Sequence, residues 1–325
     1  MPRSKFPKKL VAGDEVRVVS FAESLYGFDK TSFSESQKYL ASHGLELGLG
    51  KHARKRKLTV SQKIEDFHDA LSDQRVRMII AAGGGFNSNE LLDEIDYSLV
   101  AGTAKIIQGY SDITAVLNAI HVKTGLVTYY GPNFGGLGNQ EGSEYTQKYL
   151  DSILFDKRAF DLKENESKWY DKDYSRAVAK VKTYNSSGWW QLNKGIGLGR
   201  VVAGHIGTLL LLQGTEFAPK LKGAVLCIEA DLDYRPEHFR RELVALTQQK
   251  NFKKLEGLLI GRFPSSCGVE RKWLQDLVDD LPILNGVPVI ANVDFGHTSP
   301  KVTLPIGGEI AVRSQHKLAI RVTEH

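Results

Sequence analysis

The sequence predicts an α/β fold in two domains, and three observations carry that reading. Strand-like and helical patterns alternate through the first half of the chain. At 325 residues the chain is long for a single hydrophobic core. After about Leu154 regular periodicity gives way to a polar, aromatic stretch before mixed strand and helix signals resume. Strands that alternate with helices place a parallel sheet between helical layers. The division that follows is a parallel-sheet domain over 1–160, a linker with an aromatic binding loop over 161–199, and a second β/α domain over 200–325.

Taken in order, "EVRVVSF" (Glu15 to Phe21) is a strand. "TSFSESQKYLASHG" is a helix with Thr31 or Ser32 as its cap and Gly44 as its stop. "SQKIEDFHDALSD" is an amphipathic helix capped by Ser61, and "VRMIIAA" a β-rich run. "GGGFNSNELLDEID" then turns and opens another helix. "AKIIQGY" is a strand that leads into a helical pattern at Ser111, with Ile113, Val116, Leu117 and Ile120 on one face. "GLVTYYGP" is a further strand. In the second half, "GRVVAGHIGTLLLLQGT" reads as strand, turn and helix. "KGAVLCIEA", "KLEGLLIGRF" and "VPVIANVDFGHT" are strands, separated by helices at "RPEHFRRELVALTQQ", with Pro236 in its first turn, and "VERKWLQDLVDDL". "KVTLPIGGEIAVRSQHKLAIRV" reads as short closing strands with Gly307-Gly308 as their turn.

Composition is ordinary for a globular protein, 42% hydrophobic and 25% charged, with a net charge of +5. The basic clusters (Arg3, Lys5, Lys8, Lys9 and "KHARKRK" from Lys51) lack the interleaved aromatics that a nucleic-acid surface uses, and they flank an amphipathic helix. They read as solvated loops, with attraction of an anionic substrate left open. Cys227 lies in an apolar run and reads as a core thiol. Neither it nor Cys267 belongs to a C-x-x-C pattern, so zinc and redox motifs are unsupported. Sparse cysteine, no apolar run of membrane-spanning length and no apolar leader point to the cytoplasm, without membrane or nucleic-acid polymer as partner.

Three reactive side chains share one property: each stands at, or just past, the end of an apolar strand-like run. Ser111 follows "KIIQGY", Glu229 follows "GAVLCI", and His297 follows "VPVIANVDFG". Serine is a weak nucleophile until a base takes its proton, and histidine is the usual base. The histidine in turn needs an acid to fix its tautomer, in any chain order. A serine at a strand-to-helix turn also suits a helix N-cap, and "GYSDI" has Ile113 where the G-x-S-x-G elbow has its second glycine. Both readings of Ser111 stand at this level. His297 also reads as a loop histidine and Glu229 as partner to a surface cation, while His205, Asp112 and Asp231 compete for similar roles. The run Gly83-Gly84-Gly85 matches no phosphate-binding fingerprint. Its backbone N–H groups suit a phosphate, an oxyanion, or a plain tight turn.

The blocks "AAGGGFNSNELLDEIDY", "GYSDITAVLNAIHVKTGLVTYYGPNF", "LQGTEF", "GLLIGRF" and "PVIANVDFGHTSPKVTLPIGG" together resemble the LD-carboxypeptidase family of serine peptidases. "FNSNELL", "NSSGWWQLN" and the long aromatic loop resemble its microcin C immunity (MccF-type) branch. The resemblance implies a Rossmann-like N-terminal domain, a swivelling C-terminal β/α domain, a site at their junction and a homodimer. It implies Ser111 as nucleophile, Glu229 as acid and His297 as base. The implied oxyanion hole is built from backbone N–H groups of Asp112 and of Gly84 or Gly85. Asn87, Trp169, Trp189, Trp190 and His205 are the expected substrate-binding residues, with anchoring of the loop to the core an equal reading of Trp189 and Trp190, and no metal or organic cofactor is implied. Two departures bear on specificity: Ala203-Gly204-His205-Ile206 stands where the family usually has Gly-Gly-Asn-Leu, and Glu229-Ala230 where a second acid is common. The expected substrate is a microcin C-like peptide–nucleotide or aminoacyl-adenylate mimic. The rivals are a cytoplasmic muropeptide and, from another class, a ligand-binding protein without turnover.

Overall fold

The computed structural model describes residues 3–138, 142–171, 181–249 and 252–325. Its first sheet is built from strands whose apolar residues are buried on both faces, as central parallel strands require. β1 (Glu15–Val19) is followed by α1 (Lys30–Ser42), β2 (Glu46–Leu49), α2 (Val60–Ser72) and β3 (Val76–Ala81). α3 (Tyr97–Thr103), β4 (Ile106–Gly109), α4 (Thr114–Thr124), β5 (Thr128–Tyr130) and α5 (Ser143–Phe155) continue the alternation. The order β2-β1-β3-β4-β5 is parallel throughout. Its order reverses between β1 and β3, the crevice where open α/β sheets receive ligands.

Three helix starts differ from the sequence expectation, each for a local reason. Asp29 caps α1 by accepting the Ser32 N–H at 2.7 Å, so Ser32 is the donor and not the cap. Thr59 caps α2 in a reciprocal box with Gln62, which starts the helix ahead of Ser61. "GGGFNSNELL" forms only a single 3₁₀ turn, Ser88–Leu91. There the Asp112 carboxylate takes the N–H groups of Asn87 and Ser88 at 2.9 and 2.8 Å. The helix proper begins after Asp96, which caps Ser98 and Leu99.

The stretch between the domains contributes sheet as well as loop. β6 (Phe160–Leu162) and β9 (Trp190–Asn193) form the two edges of the second sheet, while β7 (Lys168–Asp171) and β8 (Lys182–Asn185) pair as a separate hairpin. β10 (Gly195–His205), α6 (Ile206–Leu211), β11 (Ala224–Glu229), α7 (Pro236–Thr247), β12 (Gly257–Gly261), α8 (Arg271–Asp279) and β13 (Val289–Val293) follow. β10 to β13 are parallel neighbours.

The last strands are β14 (Leu304–Ile306), β15 (Glu309–Ser314) and β16 (Ala319–Glu324). Gly307-Gly308 is not a hairpin turn. β14 lies antiparallel to β5 in the first sheet, and β15 lies between β10 and β16 in the second. Gly307 therefore carries the chain from one sheet to the other, at φ +83° and so close to His121 that a Cβ would stand 2.0 Å from its ring. Leu304 and Ile306 are buried beside β5, a stronger anchor than a local turn preference. No helix among the described residues is long and apolar enough to cross a membrane.

A buried ion pair fixes the loop after β13. Arg262 Nη2 lies 2.6 Å from Asp294 Oδ1, with the two residues 2% and 0% exposed. Asp294 Oδ2 also accepts from Trp189 Nε1 at 2.9 Å and the Asn165 N–H at 3.2 Å. Removing one partner strands the other charge in the interior. Asp294→Ala should lower the unfolding free energy by about 3–5 kcal/mol, measured by chemical denaturation. A loss below about 1 kcal/mol, the range of surface pairs, would show that Arg262 finds water instead.

Candidate active site

The reactive groups gather where the carboxyl ends of the two sheets meet. After β4 the chain passes through Tyr110 into a 3₁₀ turn, Ser111–Ile113, before α4 begins. Ser111 has φ +64°, a left-handed value that costs a non-glycine residue about 1–3 kcal/mol. Its neighbours hold it there. The Ser111 N–H donates to Tyr130 Oη at 3.0 Å, and its carbonyl accepts from Thr114 Oγ1 at 2.6 Å. The same Thr114 oxygen accepts the His205 N–H at 2.9 Å, which joins the turn to the end of β10. Ser111 is not an N-cap: no side chain caps the turn or α4, and the Ser111 hydroxyl lies 3.0 Å from His297 Nε2.

Glu229 ends β11 and is fully buried. Its Oε2 lies 2.6 Å from His297 Nδ1, and its Oε1 accepts the Tyr130 hydroxyl at 2.6 Å. A carboxylate only accepts, so His297 carries its proton on Nδ1 and offers the Nε2 lone pair to Ser111. Burial pushes the Glu229 carboxyl up, but the charge and hydrogen bond of His297, with His205 and Tyr130 adding to them, outweigh burial and hold it down at about 2. Burial, reinforced by the Glu229 charge, pushes the Tyr130 phenol far up, so it stays a donor. A hydroxyl, an imidazole and a buried carboxylate in this chain of contacts can move a proton from the hydroxyl to the ring.

A cavity of about 550 Å³ opens over Ser111 and His297. Gly83, Gly84 and Gly85 form part of its wall. Space at Gly84 is tight: a Cβ there would stand 3.1 Å from Ser111 Cβ, 3.2 Å from its Oγ and 4.0 Å from the Asp112 nitrogen. The Asp112 side chain serves the fold instead, through its bonds to the Asn87 and Ser88 N–H groups.

The expected substrate-binding residues fare differently. The Asn87 side chain accepts from the buried Lys63 ammonium at 3.0 Å. Trp189 is an anchor, bonded to Asp294. The Trp190 indole donates to Ser187 Oγ at 3.2 Å. Trp169 stacks on Tyr184 at 4.3 Å, with the Arg262 guanidinium 5.5 Å from its ring. Neither Asn87 nor any of these tryptophans is among the described residues lining the cavity. His205 lies close by, its ring 5.8 Å from that of His297. The aromatics among the described lining residues are Tyr26, Phe28, Phe86 and Tyr110, of which Tyr26 and Phe86 are 58% and 88% exposed. Sequence reading missed them, although a phenylalanine directly after a glycine run at a strand end was the available signal. It also missed Tyr130, whose strand reads as plain apolar core.

Tyr130→Phe keeps the ring but removes the donor to Glu229 and the acceptor for the Ser111 N–H. It should lower kcat by roughly 10–100-fold, as a small misplacement of reacting groups does, with KM nearly unchanged. An unaltered kcat in steady-state assays would show that Tyr130 merely fills space.

Comparison with known proteins places the chain in a family. The LD-carboxypeptidase N-terminal domain matches residues 16–131, and the LD-carboxypeptidase C-terminal domain matches residues 198–312. A Treponema pallidum protein that carries a provisional carboxypeptidase name is 37% identical, over 95% of this chain and 93% of its own length. The microcin self-immunity protein MccF of Escherichia coli is 29% identical over 97% of this chain and 94% of its own. A Bacillus subtilis protein provisionally named as a murein peptide carboxypeptidase is 28% identical over 97% and 93%. Among solved structures, an MccF-like protein from Bacillus anthracis superposes with a TM-score of 0.95 at 34% identity, covering 99% of this chain and 100% of the other. MccF in complex with glutamyl sulfamoyl guanosine gives 0.87 at 26% identity, covering 98% of each. Matched by both domains in order, the chain belongs to the LD-carboxypeptidase family of serine peptidases.

Proposed function

We propose that this chain hydrolyses an amide bond in a small peptide–nucleotide of the microcin C kind, or in its aminoacyl-adenylate mimic, by way of a Ser111–His297–Glu229 triad. The observation that carries the reading is the unbroken contact chain from the Ser111 hydroxyl through both nitrogens of His297 to a buried carboxylate. His297 takes the Ser111 proton as Oγ attacks the carbonyl carbon. Glu229 holds the ring in its tautomer and stabilises the imidazolium. The oxyanion forms against the backbone N–H groups of Asp112 and the glycine turn at Gly84 and Gly85. His297 then gives its proton to the leaving nitrogen, and it acts as base again when water attacks the acyl-enzyme. The solved MccF complex with an aminoacyl sulfamoyl nucleoside supports a substrate of this size and kind, and Tyr26 and Phe86 offer exposed rings where a base could stack. The reading extends to a cytoplasmic homodimer. Two free cysteines suit a reducing compartment, and Ile196 and Leu198, exposed at alternate positions of β10, are an apolar pair that an interface would cover.

Two observations favour the rival substrate, a muropeptide. The tryptophans expected to stack on a base stand outside the described cavity lining, and the Bacillus subtilis relative bears a murein peptide name. Incubation with both substrate classes and mass spectrometry of the products decides between them. Release of the amino acid from the nucleotide conjugate supports the proposal. Cleavage of the muropeptide alone moves the chain to the rival.

Ser111→Ala and His297→Ala should each lower kcat by roughly 10³–10⁶, and the double variant should lose no more than the worse single, because triad members act as a unit. Glu229→Gln should cost less. A general base must be unprotonated, so the rate should fall on the acid side, while Glu229, held down at about 2, keeps its charge over the ordinary assay range. Near-normal turnover by folded Ser111→Ala would overturn the mechanism.

A further inference from the structure

A buried cation joins the two flanks of the glycine turn. Lys63 is the fourth residue of α2 and is 2% exposed. A helix dipole disfavours a cation in the first turn, and burying an ammonium is costly unless its donors are met. Its two acceptors are neutral oxygens, the Phe21 carbonyl at 3.3 Å and Asn87 Oδ1 at 3.0 Å. Burial pushes its pKa down, against the charges of Glu90 and Asp112. A methionine of similar length would fill the same space without either cost.

The two acceptors stand on either side of the glycine turn. Phe21 leads into Ala22 and Glu23, and the Glu23 N–H donates to the Gly84 carbonyl at 2.8 Å. A Cβ on Gly85 would stand 2.8 Å from Ala22 Cβ, so the two segments lie in contact. On the other flank, the Asn87 N–H donates to Asp112 Oδ2 at 2.9 Å. Ser88 adds its own N–H to that oxygen at 2.8 Å and its hydroxyl to the Asp112 carbonyl at 2.5 Å. Asp112 directly follows Ser111. One ammonium thus links the end of β1, the exit of the glycine turn and, through Asn87, the turn that carries Ser111.

We infer that Lys63 and Asn87 are positioning residues that set the gap between the glycine turn and the Asp112 N–H, the two sides between which the oxyanion would form. This rests on the hydrolytic reading above and adds to it the parts that hold the oxyanion hole to size. Neither residue is among the described lining of the cavity, so both act through the backbone they hold. A looser gap weakens contacts that exist only in the transition state, so kcat responds and substrate binding does not.

The test compares Lys63→Met, Lys63→Arg and Asn87→Ala with the wild type. Two rates are measured: turnover of whichever substrate class reacts, and modification of Ser111 by an alkyl fluorophosphonate, whose phosphoryl oxygen needs the same donors. Lys63→Met and Asn87→Ala should each lower kcat by roughly 10–100-fold with KM within about threefold, as a small misplacement of groups that act in the transition state does. Modification of Ser111 should slow by a like factor. Lys63→Arg keeps charge and donors and should recover most of the loss. The double variant Lys63→Met with Asn87→Ala should lose little more than the worse single, because the two belong to one contact chain. Asn87 is partly exposed, so Asn87→Ala decides the matter should Lys63→Met fail to fold. Unchanged kcat and Ser111 modification in the folded variants, or a loss that Lys63→Arg does not recover, would overturn this inference and leave the hydrolytic reading standing. A wild type in which Ser111 neither takes the phosphonate nor turns over either substrate class would overturn both.

Discussion

The buried carboxylate of Glu229 is the constraint around which the protein is arranged. A charge at zero exposure is tolerated only when donors from the protein replace water. Here the donors come from opposite sheets: Tyr130 from the end of β5, and His297 from the loop after β13. The two domains must therefore dock in one way for the charge to be satisfied. Tyr130 passes the constraint on, since the oxygen that donates to Glu229 also accepts the Ser111 N–H and so supports the left-handed turn.

This arrangement explains why the site lies at the junction. The first sheet supplies the hydroxyl and the glycine wall, and the second supplies the imidazole and its acid. Ser111 and His297 are 186 residues apart in sequence and meet only when both sheets are complete. The loop that carries His297 is itself pinned by the Arg262–Asp294 pair and by Trp189 on Asp294. The aromatic stretch expected to touch substrate thus holds the base's loop in place, at least through Trp189.

The alternation of strands and helices, and the strand-end placement of Ser111, Glu229 and His297, were legible because both follow from local pattern. What decided between cap and nucleophile at Ser111 was not local. It depended on the sign of one backbone angle and on a histidine from the other domain. Tyr130 was illegible because a tyrosine in an apolar strand shows its ring and hides where its hydroxyl points. Gly307-Gly308 misled because a glycine doublet between short strands looks the same whether the strands pair with each other or with separate sheets. The caps Asp29 and Thr59 were missed by two or three residues, where several hydroxyl and acidic side chains compete within one turn.

The excursion of β14 into the first sheet has a consequence for how the chain is made. Until residue 306 has left the ribosome, β5 is an open edge with unpaired backbone donors and acceptors. Nascent chains therefore expose that edge through most of synthesis, and a fragment cut between the two sheets would keep it permanently. Expressed alone, the first domain would be prone to add strands from other copies of itself, even though nearly all of its own core is present.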